Sequence, residues 1–381
     1  MSTAMRTKRA RTGAVAALAA LLVAACSPPP AQPADGGETS EEGATVATAT
    51  SAEEAGGFDA LVKAAQEEGE LNVIALPPDW ANYGEIIETF SEKYDIKVNS
   101  AQPDGSSQDE INAVNQLKGT DRAPDVLDLG AAVALANTDL FAPYQVQTWD
   151  TIPDAQKDPD GLWVQDYGGY MSIGYDSAKV PEITALSDLT KPEFKNKVAL
   201  NGDPTQANAA LHGVMMASLA NGGSLDDIGP GIDFFANLQD TGNFIPVQAS
   251  SATVESGETP VVFDWDYLSA AAAKNVPTWK VFVPSDAVLG GYYFQAINKD
   301  APHPAAARLW QEFLYSDEGQ NLWLEGGARP VRMEAMREAG TLDEDAAAAL
   351  PEADGEPQFL SEEQAQQAKD VLAKDWAGAI G

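Results

Sequence analysis

Several things are scarce in this 381-residue chain, and each scarcity removes a class of function. It has one cysteine, Cys26, so an internal disulfide is excluded and nothing after that residue can act as a thiol catalyst. It has two histidines, His212 and His303, too few for a multi-histidine metal centre. Lysine and arginine total 23 against 58 aspartates and glutamates, a formal charge of −35. Nucleic acid needs a basic footprint on its partner and is excluded. Membrane-spanning runs are lacking as well. The longest apolar stretch stands near the N-terminus and, at about a dozen residues, is too short to cross a bilayer.

That short run is informative. Arg6, Lys8, Arg9 and Arg11 precede apolar Gly13–Ala25, and small residues stand directly before Cys26. This is the layout of an export signal, residues 1–25. A cysteine straight after Leu-Val-Ala-Ala resembles the lipobox of bacterial lipoproteins. The resemblance implies that Cys26 is lipidated, becomes the first residue of the mature chain, and anchors the protein to the outer face of the cell membrane without spanning it. The plain alternative is an ordinary cleaved signal with an incidental cysteine. Ser27–Gly57 contains no aromatic residue, lysine or arginine. A segment with so little apolar surface cannot offset its ordering entropy, so residues 26–57 are expected to be a lipidated Cys followed by a disordered acidic tether.

From Phe58 onward, strand and helix patterns alternate. Phe58–Glu68 has helical spacing and stops at Gly69; Leu71–Ala75 reads as a short buried strand. Ile86, Ile87, Phe90 and Tyr94 share a helical face, and Asp125–Gly130 is another strand. The pattern repeats at Val198–Leu200, a helix through His212 and Met216, Val261–Phe263, Val281–Val283 and Tyr292–Ile297. Alternation of this kind predicts α/β architecture with mixed, mostly parallel sheets flanked by helices.

The order of these elements resembles the substrate-binding proteins of bacterial ABC importers, of the two-lobed periplasmic-binding-protein type II superfamily. The residues that carry the likeness include Trp80-Ala81-Asn82-Tyr83 after the first strand, Phe90–Val98, Ala123-Pro124-Asp125-Val126, Gly257–Val262 and Ala301–Trp310. The resemblance implies two lobes: residues 58–168 and 290–381 forming the first, residues 169–289 the second, with hinge crossings between them. It also implies capture rather than chemistry (no enzyme, no cofactor), a membrane permease as partner, and a monomer.

In such sheets ligands bind beyond the carboxyl ends of the strands. Those segments here hold Trp80, Tyr83, Asp203, Gln206, Asp264, Trp265, Tyr267, Tyr292 and Tyr293, together with Asp79, Asp104 and Asp266, and no lysine or arginine. Rings interleaved with carboxylates suit an organic cation, the rings by cation–π attraction and the acids by charge-assisted hydrogen bonds. The bland reading is that the rings pack lobe cores and the aspartates cap helices. Trp80 and Tyr83 resemble the Trp-x-x-Tyr pair of the spermidine/putrescine-binding branch, and Asp203 matches an acid of that branch. Gln206 and Tyr292-Tyr293 depart from its pattern. The ferric-iron-binding branch is the main alternative, although the adjacent tyrosines it uses are replaced after Phe263 by Asp264-Trp265-Asp266-Tyr267. Thiamine and phosphonates are further candidates, and a secreted lipoprotein hydrolase is the remaining one.

Overall fold

The computed structural model describes residues 46–380. The signal sequence, Cys26 and the first part of the expected tether lie outside the described residues. Strands are numbered in chain order, β4 being the two-residue strand Phe141–Ala142, and helices are named by their residues.

The first unit is strand β1 (Glu70–Ile74), helix Tyr83–Tyr94 and strand β2 (Lys97–Ala101), with β1 and β2 parallel and in register Leu71 opposite Val98. Helix Phe58–Glu68 ends where the periodicity stops, at Gly69, whose φ of 72° a glycine adopts without steric cost. Helix Ser107–Leu117 is opened by a reciprocal cap between Ser106 and Asp109. It leads into β3 (Val126–Leu129), buried along its whole length.

Two long strands organise the rest. Strand β5 (Val164–Asp176) pairs through its first half with β9 (Leu289–Asn298). Its second half pairs with β7 (Val261–Trp265) and β8 (Trp279–Phe282). Strand β9 pairs in turn with β3, and β7 with β6 (Val198–Leu200). One continuous strand thus runs from one group of strands into the other, and β9 brings the chain back. β1–β2 and β6–β7 are parallel, as expected of strand–helix–strand units, but β5 is antiparallel to β7, β8 and β9, and β3 to β9. The sheets are therefore mixed, as expected, with the antiparallel pairs where the chain crosses between the two groups along strands instead of through helices.

The tether expectation needs a correction. Residues 46–57 are packed on the body, with Val46, Ala49, Ala52 and Ala55 between 2 and 4% exposed. Arg308 Nε donates to the Ala49 carbonyl at 2.7 Å, and the Gln145 amide donates to the Thr50 carbonyl at 2.8 Å. Small side chains fit closely against the body, and each buried methyl contributes roughly 0.8 kcal/mol. Composition alone hides this, because alanine is as common in tethers as in tight contacts.

The C-terminal helix Glu362–Ile380 lies against Gly229–Thr241 and Ala131–Leu135, buries Ala365, Ala368 and Leu372, and places Trp376 on Phe235 and Phe244. No helix among the described residues is long and apolar enough to cross a membrane.

Candidate functional site

Strand β3 carries an acid in an otherwise apolar run, Val126-Leu127-Asp128-Leu129, and that acid is the centre of the site. Asp128 is 7% exposed. Its Oδ2 accepts the hydroxyls of Tyr83 (2.9 Å) and Tyr167 (3.0 Å), while Oδ1 has no hydrogen-bond partner. Burial pushes the carboxyl up to about 7, against the two tyrosine hydrogen bonds that favour the ionised form. Two more acids are close. Asp166 accepts Gln295 Nε2 at 3.0 Å, and Glu110 accepts the Asp128 amide at 2.9 Å. Burial, followed by the charge of Asp128, holds both above the usual carboxylate range. No lysine or arginine among the described residues pairs with any of the three; the charges they feel are each other's and that of Asp109.

Aromatic rings wall this acid. Tyr167 stacks on Tyr293 with ring centres 5.6 Å apart and meets Tyr83 edge-on at 5.8 Å. Trp80 donates from Nε1 to the Tyr167 hydroxyl at 2.7 Å and stands edge-on to Tyr293 and Tyr267. Trp265 and Tyr267 lie parallel, with ring centres 6.4 Å apart. These rings reach the site from four separate segments, brought together by the meeting of β5, β7 and β9. Close packing requires Gly291, because a Cβ there would come within 2.6 Å of the Trp265 ring and 3.1 Å of His212 Nε2. Burial lowers His212 to about 4, and its Nδ1 contacts the Asn208 carbonyl at 2.9 Å, so the imidazole is neutral with its proton on Nδ1.

Of the nine residues expected at the site, five stand around this acid: Trp80, Tyr83, Trp265, Tyr267 and Tyr293. The Tyr267 hydroxyl is buried without a partner. Asp264 is beside them, half-buried, accepting Asn201 Nδ2 and the Trp265 amide, each at 2.8 Å, and raised to about 7 by burial. Tyr292 is not in the cage. Neighbours on a strand point to opposite faces, so Tyr293 turns inward and Tyr292 packs on Phe359. Asp203 and Gln206 are exposed, and Asp203 is occupied by the Thr205 amide and hydroxyl of its own turn.

Asp266 is taken by an arginine from a segment outside the strand ends, so the expectation of a site neighbourhood without cations needs correcting. Arg329 Nη1 reaches Asp266 Oδ2 at 2.5 Å, and its guanidinium lies 4.2 Å from the Tyr170 ring centre. Asp266 also accepts the amides of Tyr170 and Tyr267 at 3.0 Å, so it is a structural lock. The sequence reading missed Asp128, Asp166, Tyr167, Asn208 and Gln295. Asp128 had a signal, an acid inside a buried strand; Tyr167 and Gln295 had none, since their partners are remote in sequence.

Two joined strand groups with ring-lined acids where they meet define a two-lobed binding protein of the periplasmic type. Comparison with known proteins agrees. Residues 125–355 match the model of the family described as bacterial extracellular solute-binding protein, and the chain belongs to that family. Its members are solute-binding components of ABC-type importers that act outside the cytoplasm, not enzymes. Among solved structures, iron-bound HitA from Pseudomonas aeruginosa is 20% identical, with a TM-score of 0.61 over 82% of this chain and 99% of that one. AgtB from A. tumefaciens R10 in complex with agropinic acid is 16% identical, with a TM-score of 0.65 over 82% and 98%. AfuA from Actinobacillus pleuropneumoniae with fructose-6-phosphate bound is 17% identical, with a TM-score of 0.63 over 82% and 98%. At these identities the likeness concerns the fold.

Proposed function

We propose that this protein captures a small organic cation, polyamine-like in its charge and alkyl character, between its two lobes and delivers it to a membrane permease. The observation that carries the reading is Asp128: a buried carboxylate, one oxygen unpaired, walled by Trp80, Tyr83, Tyr167 and Tyr293, with no cation from the chain beside it. An ammonium group seated there gains charge-assisted hydrogen bonds and cation–π attraction while relieving an uncompensated charge. The lobes, 58–168 with 290–381 and 169–289, close about β5 and the return into β9, and ligand favours the closed form because only there do both lobes touch it. The protein works as a monomer held to the membrane by lipidated Cys26.

Ferric iron is the second reading, supported by the unpaired Tyr267 hydroxyl near Tyr293 and Asp264. Against it, burial and nearby acids push both hydroxyls above their usual range, the opposite of what a phenolate ligand needs. A thermal-shift panel with putrescine, spermidine, thiamine, ferric citrate and aminoethylphosphonate separates these. Stabilisation by amines or thiamine supports the reading, and a response to iron or the phosphonate alone overturns it. Replacing Cys26 by Ser should move the protein from the membrane fraction to the medium; an unchanged distribution removes the anchor.

A further inference from the structure

A second unpaired oxygen stands beside the buried acids. Gln295 is 1% exposed, and its Oε1 has no hydrogen-bond partner. The register of β3 on β9 sets Gln295 directly opposite Asp128, so the two side chains are neighbours on one face of the sheet. Tyr293, two residues earlier on β9, shares that face. The direction of the Gln295 amide follows from its bonds: Nε2 donates to the Tyr83 hydroxyl and to Asp166 Oδ2, each at 3.0 Å. Both partners accept through oxygen, so the nitrogen faces them and Oε1 is the atom left over. Asp128 Oδ1 is in the same condition, its sister oxygen being taken by Tyr83 and Tyr167.

Buried polar atoms are nearly always hydrogen-bonded, because an unpaired one gives up its bonds to water for nothing. Two unpaired acceptors on directly paired residues, one of them a carboxylate oxygen, set two demands on whatever group meets them. A neutral donor would pair the oxygens and leave the charge unanswered. A quaternary cation would answer the charge and leave both oxygens unpaired. A cation that carries N–H groups does both. We infer that the ligand's cationic head is a protonated amine with at least two N–H donors, one for Asp128 Oδ1 and one for Gln295 Oε1, and that Gln295 thereby selects against quaternary ammonium and thiazolium heads. This inference rests on the cation reading above and narrows it to one class of cation.

The test is a methylation series titrated calorimetrically into the purified protein at pH 8, above the titration of Asp128. The probes are putrescine, its tetramethyl derivative with one N–H on each nitrogen, and its hexamethyl bis-quaternary derivative with none. Affinity should fall about tenfold or more at each step, as one further acceptor is left unpaired. Gln295→Met, which removes the acceptor at similar volume, should weaken putrescine about tenfold and bring it within about threefold of the tetramethyl compound, since one remaining acceptor needs one N–H. Gln295→Glu, which keeps an oxygen in that place, should retain the preference for putrescine. A Gln295→Met loss shared equally by all three probes is what a merely structural role would give, and it overturns the assignment of Gln295. A bis-quaternary compound that binds the wild type as tightly as putrescine overturns the donor inference while leaving the cation reading standing. Absence of binding by all three overturns both.

Discussion

Replacing Asp128 by Asn should make the ligand-free protein more stable at alkaline pH and far less able to bind. The folded carboxyl titrates at about 7 against 3.8 when free, so between those values the unfolded chain releases a proton that the folded chain keeps. Stability from this group is therefore highest in acid and falls as pH rises, by about 1.4 kcal/mol per pH unit, levelling off above pH 7. The full span is about 4 kcal/mol. Asp166 and Glu110, now held up partly by the charge of Asp128, ionise more easily once it is gone, which lessens their own alkaline penalty and adds to the gain. The net expectation is a gain of about 4 kcal/mol at pH 8, shrinking towards zero near pH 4 as both proteins become neutral at this position. Urea unfolding of wild type and Asp128→Asn at pH 4.5, 6 and 8 measures it. Parallel stability profiles would refute the reasoning, since they would mean that ionising this carboxyl costs the fold nothing.

Cation affinity should fall below pH 7, by up to tenfold per unit, because protonated Asp128 no longer offers a charge; a calorimetric series from pH 5.5 to 8 reads this, and a flat profile counts against Asp128 as the anchor. Trp80→Ala should weaken the cation by about 1–2 kcal/mol, while Trp80→Phe, which keeps a ring but loses the bond to Tyr167, should cost less than half as much. Equal losses would assign the effect to the hydrogen bond. Arg308→Ala, by freeing the Ala49 carbonyl, should expose residues 46–57 to proteolysis with the body left intact. Cleavage at the wild-type rate would show that the buried alanines hold the segment unaided.

The chain displayed its elements more openly than its site. The helix end at Gly69 was visible because glycine does specific backbone work there. Strands β3, β6 and β7 were visible as short apolar runs. Strand direction was not, since β5 and β9 owe theirs to how the chain crosses between lobes. The Trp80–Tyr83 pair and the Asp264–Tyr267 run were legible as rings and acids gathered at strand ends. Which of them face inward depends on strand parity, and Tyr292 was lost to that. Asp203 was lost to its own turn, and Asp266 to Arg329, sixty-three residues away in sequence.

A crystal structure of the protein with a bound amine tests the central claim most directly. An ammonium nitrogen at hydrogen-bond distance from Asp128 Oδ1, with Trp80 and Tyr293 against its carbon chain, is the predicted result. A metal ion held by Tyr267 and Tyr293, or a ligand that leaves Asp128 untouched, would contradict it.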